Sequence, residues 1–141
     1  MEIGYAGFWK RFAAFIIDMV ITTIIAFLIG FIIAIIIEVL GFDSLILSGS
    51  IGNFLGMIIT WIYYAVMESS KLQASLGKLA LSIKVTNLNG DRISFARATG
   101  RHFGKIISTI VLLVGFIMVA ITEKKQGLHD VMSGSLVVNT N

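Results

Sequence analysis

The side chains best suited to chemistry in this sequence lie in or beside one apolar run. Asp18 is the only ionisable residue between Phe12 and Ile37, Arg11 comes seven residues before it, and Thr22 comes four residues after it. Residues at these spacings share one face of an α-helix, so Arg11, Asp18 and Thr22 are expected to form one polar stripe. A carboxylate in such a stripe can take up a proton or a hard cation.

The run that holds Asp18 is long enough to be a transmembrane helix. At about 1.5 Å per residue, the 26 residues from Phe12 to Ile37 exceed the ~30 Å hydrocarbon core of a bilayer. A carboxylate at that depth must be protonated, paired or in contact with a wet cavity. The alternative is a purely structural role for both residues. Arg11 would then extend to lipid phosphates, and Asp18 would form hydrogen bonds that serve assembly only.

The rest of the chain predicts an all-α membrane protein with a single domain over residues 1–141. Of its 141 residues 57% are hydrophobic and 13% are charged, and the absence of Cys excludes disulfides and thiolate metal sites. Two transmembrane helices are expected at about 12–37 and 47–67. A third membrane-embedded helix at about 104–122 either crosses once or turns back near Gly115. Asn53, in the second helix, is expected to form an interhelical hydrogen bond or to serve as an ion ligand.

The polar segment 68–103 is expected to lie in the cytoplasm together with the N-terminus. Seven of the eleven Lys and Arg residues fall between Glu68 and Lys105, whereas the loop at 38–50 has none. Apolar and polar residues alternate from Leu81 to Thr86, and an Asn-Gly pair precedes a second β-prone piece, which predicts a small β-hairpin over 81–95. A further β-prone piece lies at 136–138, and the 81–95 hairpin is its natural partner if both lie on the same side of the membrane.

Two sets of charged residues flank the third apolar segment. Arg97, Arg101 and Lys105 recur every four residues after a helix-capping Ser94, which predicts a basic stripe that binds anionic lipid headgroups. Asp130 follows Gly127 and has two open roles. It either caps a short helix or, if the chain returns to the cytoplasmic side, pairs with Arg11.

Several motifs together resemble a known family. Arg11, Asp18 and Asp130 resemble the one arginine and two aspartates that give the RDD family of small bacterial integral membrane proteins its name. Further motifs add to the resemblance in the same order along the chain: Ser75-Leu76-Gly77-Lys78, Ile83-Lys84-Val85, Asn89-Gly90 and residues 134–138. The residues that depart from the family pattern are Leu79, Ser82 and Ser135. The resemblance implies a multi-pass protein of the bacterial cytoplasmic (inner) membrane. It also implies transport, since some members are linked to sodium–proton antiport.

Two functions remain open. The first is an oligomeric transporter, with Na⁺/H⁺ or other monovalent cations as its ions and a homo-oligomer enclosing the pathway. Its ion-coupling residues would be Asp18, Arg11, Asp130, Thr22 and Asn53. The alternative is a non-catalytic scaffold or accessory subunit that binds anionic lipid or a partner protein.

Other classes of function are not expected from this sequence. An enzyme is not expected, because no catalytic triad, metal-ligand cluster or phosphate-binding glycine loop is visible. No cofactor or metal site is expected either. Nucleic acid is not an expected partner, because the basic residues flank apolar spans.

Overall fold

The computed structural model describes residues 4–41, 50–110 and 114–140, and within these ranges the chain is mostly helical. The described part contains six helices and two strands. In chain order they are α1 (Phe8–Leu40), α2 (Ser50–Ser69), α3 (Leu76–Ala80), β1 (Ile83–Asn87), α4 (Phe95–Ile110), α5 (Val114–Ile121), α6 (Leu128–Ser133) and β2 (Ser135–Asn139). The predicted helices at 12–37 and 47–67 are therefore present as α1 and α2, with small differences at their ends.

Helix α1 has the reverse of a soluble amphipathic pattern. Its buried residues are Ala14, Asp18 and Thr22, whereas its large apolar side chains point outward. Five of these, which are between 49% and 70% exposed, are Phe27, Phe31, Ile32, Ile35 and Ile36. Of the helices in the described ranges, α1 alone is long and apolar enough to cross a bilayer. Its outer surface therefore requires an apolar environment.

The strand predicted from the alternation at 81–86 is present as β1, and its expected pairing with the piece at 136–138 is confirmed, but the predicted hairpin with 93–95 is wrong. Strand β1 pairs antiparallel with β2, so that Ile83 lies opposite Asn139 and Asn87 lies opposite Ser135. In β2 four of the five residues are buried, so this strand gives β1 an apolar partner that the short piece at 93–95 does not match. After β1, the side chain of Asn87 accepts the backbone N–H groups of Asn89 and Asp91 and turns the chain away.

The piece at 93–95 leads into helix α4 instead of forming a second strand. The Ser94 hydroxyl accepts the backbone N–H of Arg97 at 3.2 Å. This bond confirms Ser94 as the N-cap of α4. A capping residue fixes the chain in a helical entry, which is incompatible with a strand pair at this point.

The N-terminal segment joins the sheet to α1. The backbone N–H of Ala6 donates to Val137 and that of Asn139 donates to Gly4, so this segment lies along the free edge of β2. The hydrophobic core beneath the sheet is small. It contains Ala6, Ala14, Ala65, Ile83, Val85, Ile93, Ala98 and Val137. The sheet thus gathers the start of α1, the end of α2 and the start of α4 at one end of the molecule.

The third apolar segment turns back on itself. Helix α6 packs extensively against α4, and α5 packs against α4 and α1. The chain that leaves this end along α4 therefore comes back along α5, as expected for the returning alternative and not for a single crossing. Gly115 lies within helix α5, so the turn does not fall at that residue. Residues 111–113, between α4 and α5, and 42–49, within the predicted outer loop, lie outside the described ranges.

Candidate functional site

Six charged side chains meet at the end of the molecule next to the sheet. We call them the ion-pair cluster: Arg11, Glu68, Lys78, Arg101, Lys105 and Asp130. They come from five helices, because α1 and α4 begin here, α2 ends here, and the short helices α3 and α6 pack between them. Ion pairs that join so many elements fix their mutual positions.

Arg101 is the centre of the cluster. Its side chain is 1% exposed, and its Nε donates to Glu68 Oε2 at 3.0 Å. Its Nη1 donates to Asp130 Oδ1 and to the Ser135 hydroxyl. The planar guanidinium suits this bridging of two carboxylates. The predicted lipid-facing stripe is therefore wrong at Arg101, because this face of α4 packs on α2 and α6, while Arg97 is exposed and Lys105 is partly exposed.

Asp130 fulfils both of the roles that the sequence left open. Its carboxylate accepts the backbone N–H of Gly127 at 3.1 Å, which caps α6, and it also pairs with Arg11 and Arg101. Burial alone would raise the pKa of Asp130, but the positive charges of Arg101 and Arg11 hold that pKa well below its usual range. The lowered pKa favours the charged carboxylate, which links α1, α4 and α6.

Glu68 is the second anion of the cluster, and the sequence analysis missed it as a site residue. Its Oε1 pairs with Lys78 and lies 3.6 Å from Lys105 Nζ, and its Oε2 accepts from Arg101. Burial would raise the pKa of Glu68, but Lys105, Lys78 and Arg101 together keep it well below the usual range. The sequence feature that could have identified Glu68 is its position as an acidic residue at the end of an otherwise apolar helix.

Asp18 belongs to a separate group of hydrogen bonds. Its Oδ1 accepts the Tyr63 hydroxyl and the Gly77 backbone N–H, both at 2.8 Å, and its Oδ2 accepts the Ser75 hydroxyl. In the described ranges Asp18 makes no ion pair with Arg11 or any other base. Gly77 is required by the same contact, because a Cβ there would lie 2.9 Å from Asp18 Cγ and closer still to the Ala14 carbonyl oxygen. Asp18 therefore attaches α3 to α1.

The other two predicted ion ligands, Thr22 and Asn53, form no side-chain hydrogen bond with a carboxylate in the described ranges. The Thr22 hydroxyl donates to the Asp18 backbone carbonyl at 2.8 Å, within its own helix. Asn53 is exposed and precedes Tyr63 by ten residues along α2, which is roughly 15 Å of helix. The structure therefore brings Arg11 and Asp130 together, places Asp18 and Thr22 in a second group, and leaves Asn53 outside both.

A cavity of about 550 Å³ lies beside the ion-pair cluster, between α1, α2, α4 and α5. Its polar end is formed by several cluster residues with His102 and His129, and its other end is apolar. The apolar lining includes Phe8, Phe12, Phe15, Ile106, Ile117 and Val119. Lys105 Nζ lies 4.2 Å from the centroid of the Tyr64 ring at this site. In the ranges that the structure describes, no group of His, Cys, Asp and Glu side chains could hold a metal ion.

We expect stability to fall when the pH is lowered, with His102 as one cause. Burial, with a smaller contribution from Lys105, lowers the pKa of His102 to about 4. An unfolded His binds its proton below about pH 6.5, so acidification through that value favours the unfolded chain. Between pH 7 and pH 5, protonation linked to His102 should lower the free energy of unfolding by roughly 2 kcal/mol. Thermal unfolding of purified protein at both pH values should show a smaller loss in His102→Gln, and an equal loss would contradict this account.

Comparison with known proteins identifies the family of this chain. The family model of the RDD family matches residues 5–134. The chain belongs to the RDD family. A Bacillus subtilis relative of this RDD protein, described as "Uncharacterized protein YxaI", is 34% identical, with 94% of this chain and 96% of the relative covered. Another from the same organism, "Uncharacterized membrane protein YteJ", is 28% identical, with 96% of this chain and 81% of the relative covered.

No solved structure matches the chain. The long apolar helix α1 and the membrane protein among the relatives both support membrane association. The residues behind the family resemblance have distinct positions in the fold. Arg11 and Asp130 pair within the ion-pair cluster, whereas Asp18 binds α3.

Proposed function

We propose that this RDD protein is a non-catalytic membrane scaffold or accessory subunit that is held at anionic lipid. The observation that carries the proposal is that each buried carboxylate already has its partners. Glu68 and Asp130 are paired with basic side chains, and Asp18 accepts three hydrogen bonds. An exchanger needs a carboxylate that can release its partners for an ion, whereas a scaffold needs fixed contacts.

The distribution of exposed charge supports attachment to anionic lipid. Six exposed basic residues flank the helix ends that meet at the ion-pair cluster: Lys10, Lys71, Arg92, Arg97, Lys124 and Lys125. We call this surface the basic end. At the opposite end of α1 lies the exposed Glu38. Cytoplasmic surfaces of membrane proteins carry this excess of Lys and Arg, which anionic headgroups attract at about 1 kcal/mol per residue.

The proposal includes the placement in the cell. The basic end, the ion-pair cluster and the N-terminus would face the cytoplasm at the bacterial inner membrane. The apolar parts of α1, α2 and the returning α4–α5 pair, beyond the cluster, would be embedded in the bilayer. The exposed apolar side chains of α1 and α2 would contact lipid, a partner protein or a second copy in a homo-oligomer. No bound cofactor is needed for this role.

A second candidate function is cation–proton antiport by an oligomer. The observation in its favour is that Asp18 lines the 550 Å³ cavity together with Arg11 and Lys105. A buried carboxylate facing a cavity can couple ion movement to protonation. In that case Asp18 would exchange the hydrogen bonds of Tyr63, Ser75 and Gly77 for a cation.

The effect of Asp18→Asn distinguishes the two functions. Asn keeps an oxygen for Tyr63 and Gly77, and its amide can donate to the Ser75 hydroxyl, so a structural role should survive. We expect no proton-coupled sodium, lithium or potassium flux in proteoliposomes for either the wild type or the variant, and thermal midpoints within a few degrees of each other. Flux in the wild type that is lost in Asp18→Asn but kept in the exposed control Asp91→Asn would establish antiport instead.

A positive test of the scaffold proposal uses the basic end. Protein extracted with its surrounding lipid in polymer nanodiscs should be enriched in anionic phospholipid relative to the whole membrane. Changing Arg92, Arg97, Lys124 and Lys125 to Gln should reduce that enrichment without unfolding, because these side chains are exposed. Equal enrichment in the two proteins would argue against lipid attachment through this surface.

A further inference from the structure

We propose that the 550 Å³ cavity binds one phospholipid whose headgroup has a net charge of −1, as in phosphatidylglycerol. The inference rests on the proposed function only in that the protein must lie in an anionic membrane. It names a specific ligand and a specific site, distinct from the exposed basic end. The volume is within the ~300–1,000 Å³ that is typical of small-molecule sites.

The charge at the polar end of the cavity calls for an anion. Four basic side chains line it: Arg11, Lys78, Arg101 and Lys105. The buried carboxylates nearby are three, Glu68 and Asp130 in the ion-pair cluster and Asp18 in its separate group of hydrogen bonds. One positive charge is therefore unmatched. Buried or partly buried charge without a partner is costly, so binding a monoanion from the membrane would be favourable.

Lys105 is the basic residue with the weakest pairing. Its contact with Glu68 Oε1 is 3.6 Å, and that oxygen also pairs with the closer Lys78. Its other neighbour is the face of the Tyr64 ring. Its side chain is 24% exposed and lines the cavity. An ammonium group so placed can donate to a phosphate oxygen without breaking the pairs that hold the fold.

His102 supplies a second donor on the same side of α4. It lines the cavity three residues before Lys105, a spacing that places both on one helical face. The residue is only 8% exposed, and its buried Nδ1 has no hydrogen-bond partner among the residues that the structure describes. A buried nitrogen of this kind is normally satisfied, and in the neutral tautomer with a proton on Nδ1 it can donate to an anion.

The other end of the cavity favours a lipid over free phosphate. Phe12, Phe15, Ile106 and Ile117 line it and are between 39% and 56% exposed, so this end opens onto the outer apolar surface. An acyl chain could pack against these side chains directly from the surrounding lipid, because it is as apolar as they are. Free phosphate would gain nothing from these side chains. A phospholipid satisfies both ends, with its phosphodiester near Lys105 and His102 and its chains leaving past α1 and α5.

The test is a lipid titration of delipidated protein in nonionic detergent, read by native mass spectrometry. Phosphatidylglycerol should bind at one molecule per chain, and phosphatidylcholine and glycerol phosphate should bind at least about tenfold more weakly. Lys105→Gln should weaken phosphatidylglycerol binding about tenfold, and Lys105→Arg should retain it. Lys84→Gln, which removes the same charge from strand β1 outside the cavity, should have no effect.

A steric variant keeps the test decisive if Lys105→Gln unfolds. Ile117→Trp narrows the apolar end without touching a charge, and it should abolish the one-to-one adduct. Equal affinity for phosphatidylcholine, or an unchanged adduct in both Lys105→Gln and Ile117→Trp, would overturn the inference. Loss of the adduct in Lys84→Gln would also overturn it, since binding would then be general surface attraction. If phosphatidylglycerol does not bind in the cavity but the basic end still enriches anionic lipid, the proposed function stands without this site. Measured ion flux would contradict the proposed function whatever the cavity binds.

Discussion

Arg101→Ala is expected to destabilise the protein more than any other single charge change. The substitution removes the guanidinium that bridges the buried carboxylates of Glu68 and Asp130. It also removes a hydrogen-bond donor from the Ser135 hydroxyl. Removing one member of a buried ion pair typically costs about 3–5 kcal/mol. For a chain of this size that corresponds to a fall of roughly 10 °C or more in the thermal midpoint. Thermal unfolding of the protein in detergent, followed by circular dichroism, measures it.

Arg97→Ala is the matched control for Arg101→Ala. Arg97 lies one turn earlier on α4 and is exposed, so its loss should change the midpoint by no more than about 1–2 °C. Arg101→Lys should fall between the two, because an ammonium group lacks the rigid fork that reaches both carboxylates. If Arg101→Ala and Arg97→Ala unfold at the same temperature, the ion-pair cluster does not hold the helices together.

Gly77→Ala is expected to have the second largest effect, through sterics alone. The added Cβ would lie 2.9 Å from Asp18 Cγ and closer still to the backbone oxygen of Ala14, so helix α3 would have to move away from α1. Such a shift would stretch the hydrogen bonds of Asp18 to Ser75 and to the Gly77 N–H. We expect a loss of about 2–3 kcal/mol, at the upper end for overpacking, because the obstructing atom belongs to the backbone.

The control for this variant is Gly100→Ala, which is also helical but has open space where its Cβ would lie. Replacing Gly by Ala inside a helix should stabilise it by up to about 1 kcal/mol. The two Gly→Ala changes should therefore move the thermal midpoint in opposite directions. A midpoint for Gly77→Ala equal to that of the wild type would mean that the approach of α3 to α1 is not tight.

Local sequence patterns are sufficient to predict several elements of this fold. The uninterrupted apolar run predicts α1 because a chain in lipid must satisfy its backbone internally. The alternation at 81–86 predicts β1, and Ser94 predicts the start of α4. The motifs around Arg11, Asp18 and Asp130 indicate the RDD family, which the family comparison shows. These features follow from periodicity, capping and short motifs, which do not depend on distant residues.

The sequence predicts partners for these elements only conditionally, because the pairing of 81–95 with 136–138 and that of Asp130 with Arg11 both depend on the return of the chain. Strand β1 pairs with β2, some fifty residues away, because β2 offers buried apolar side chains and the chain returns along α5. The same return brings Asp130 to Arg11 and Arg101, and it turns the predicted lipid-facing arginine inward. Helical spacing predicts one stripe for Arg11 and Asp18, but the long Arg11 side chain reaches Asp130 on α6, whereas the short Asp18 side chain accepts hydrogen bonds from the adjacent α2 and α3. A pairing between distant segments depends on packing energy summed over the whole fold, which no local pattern contains.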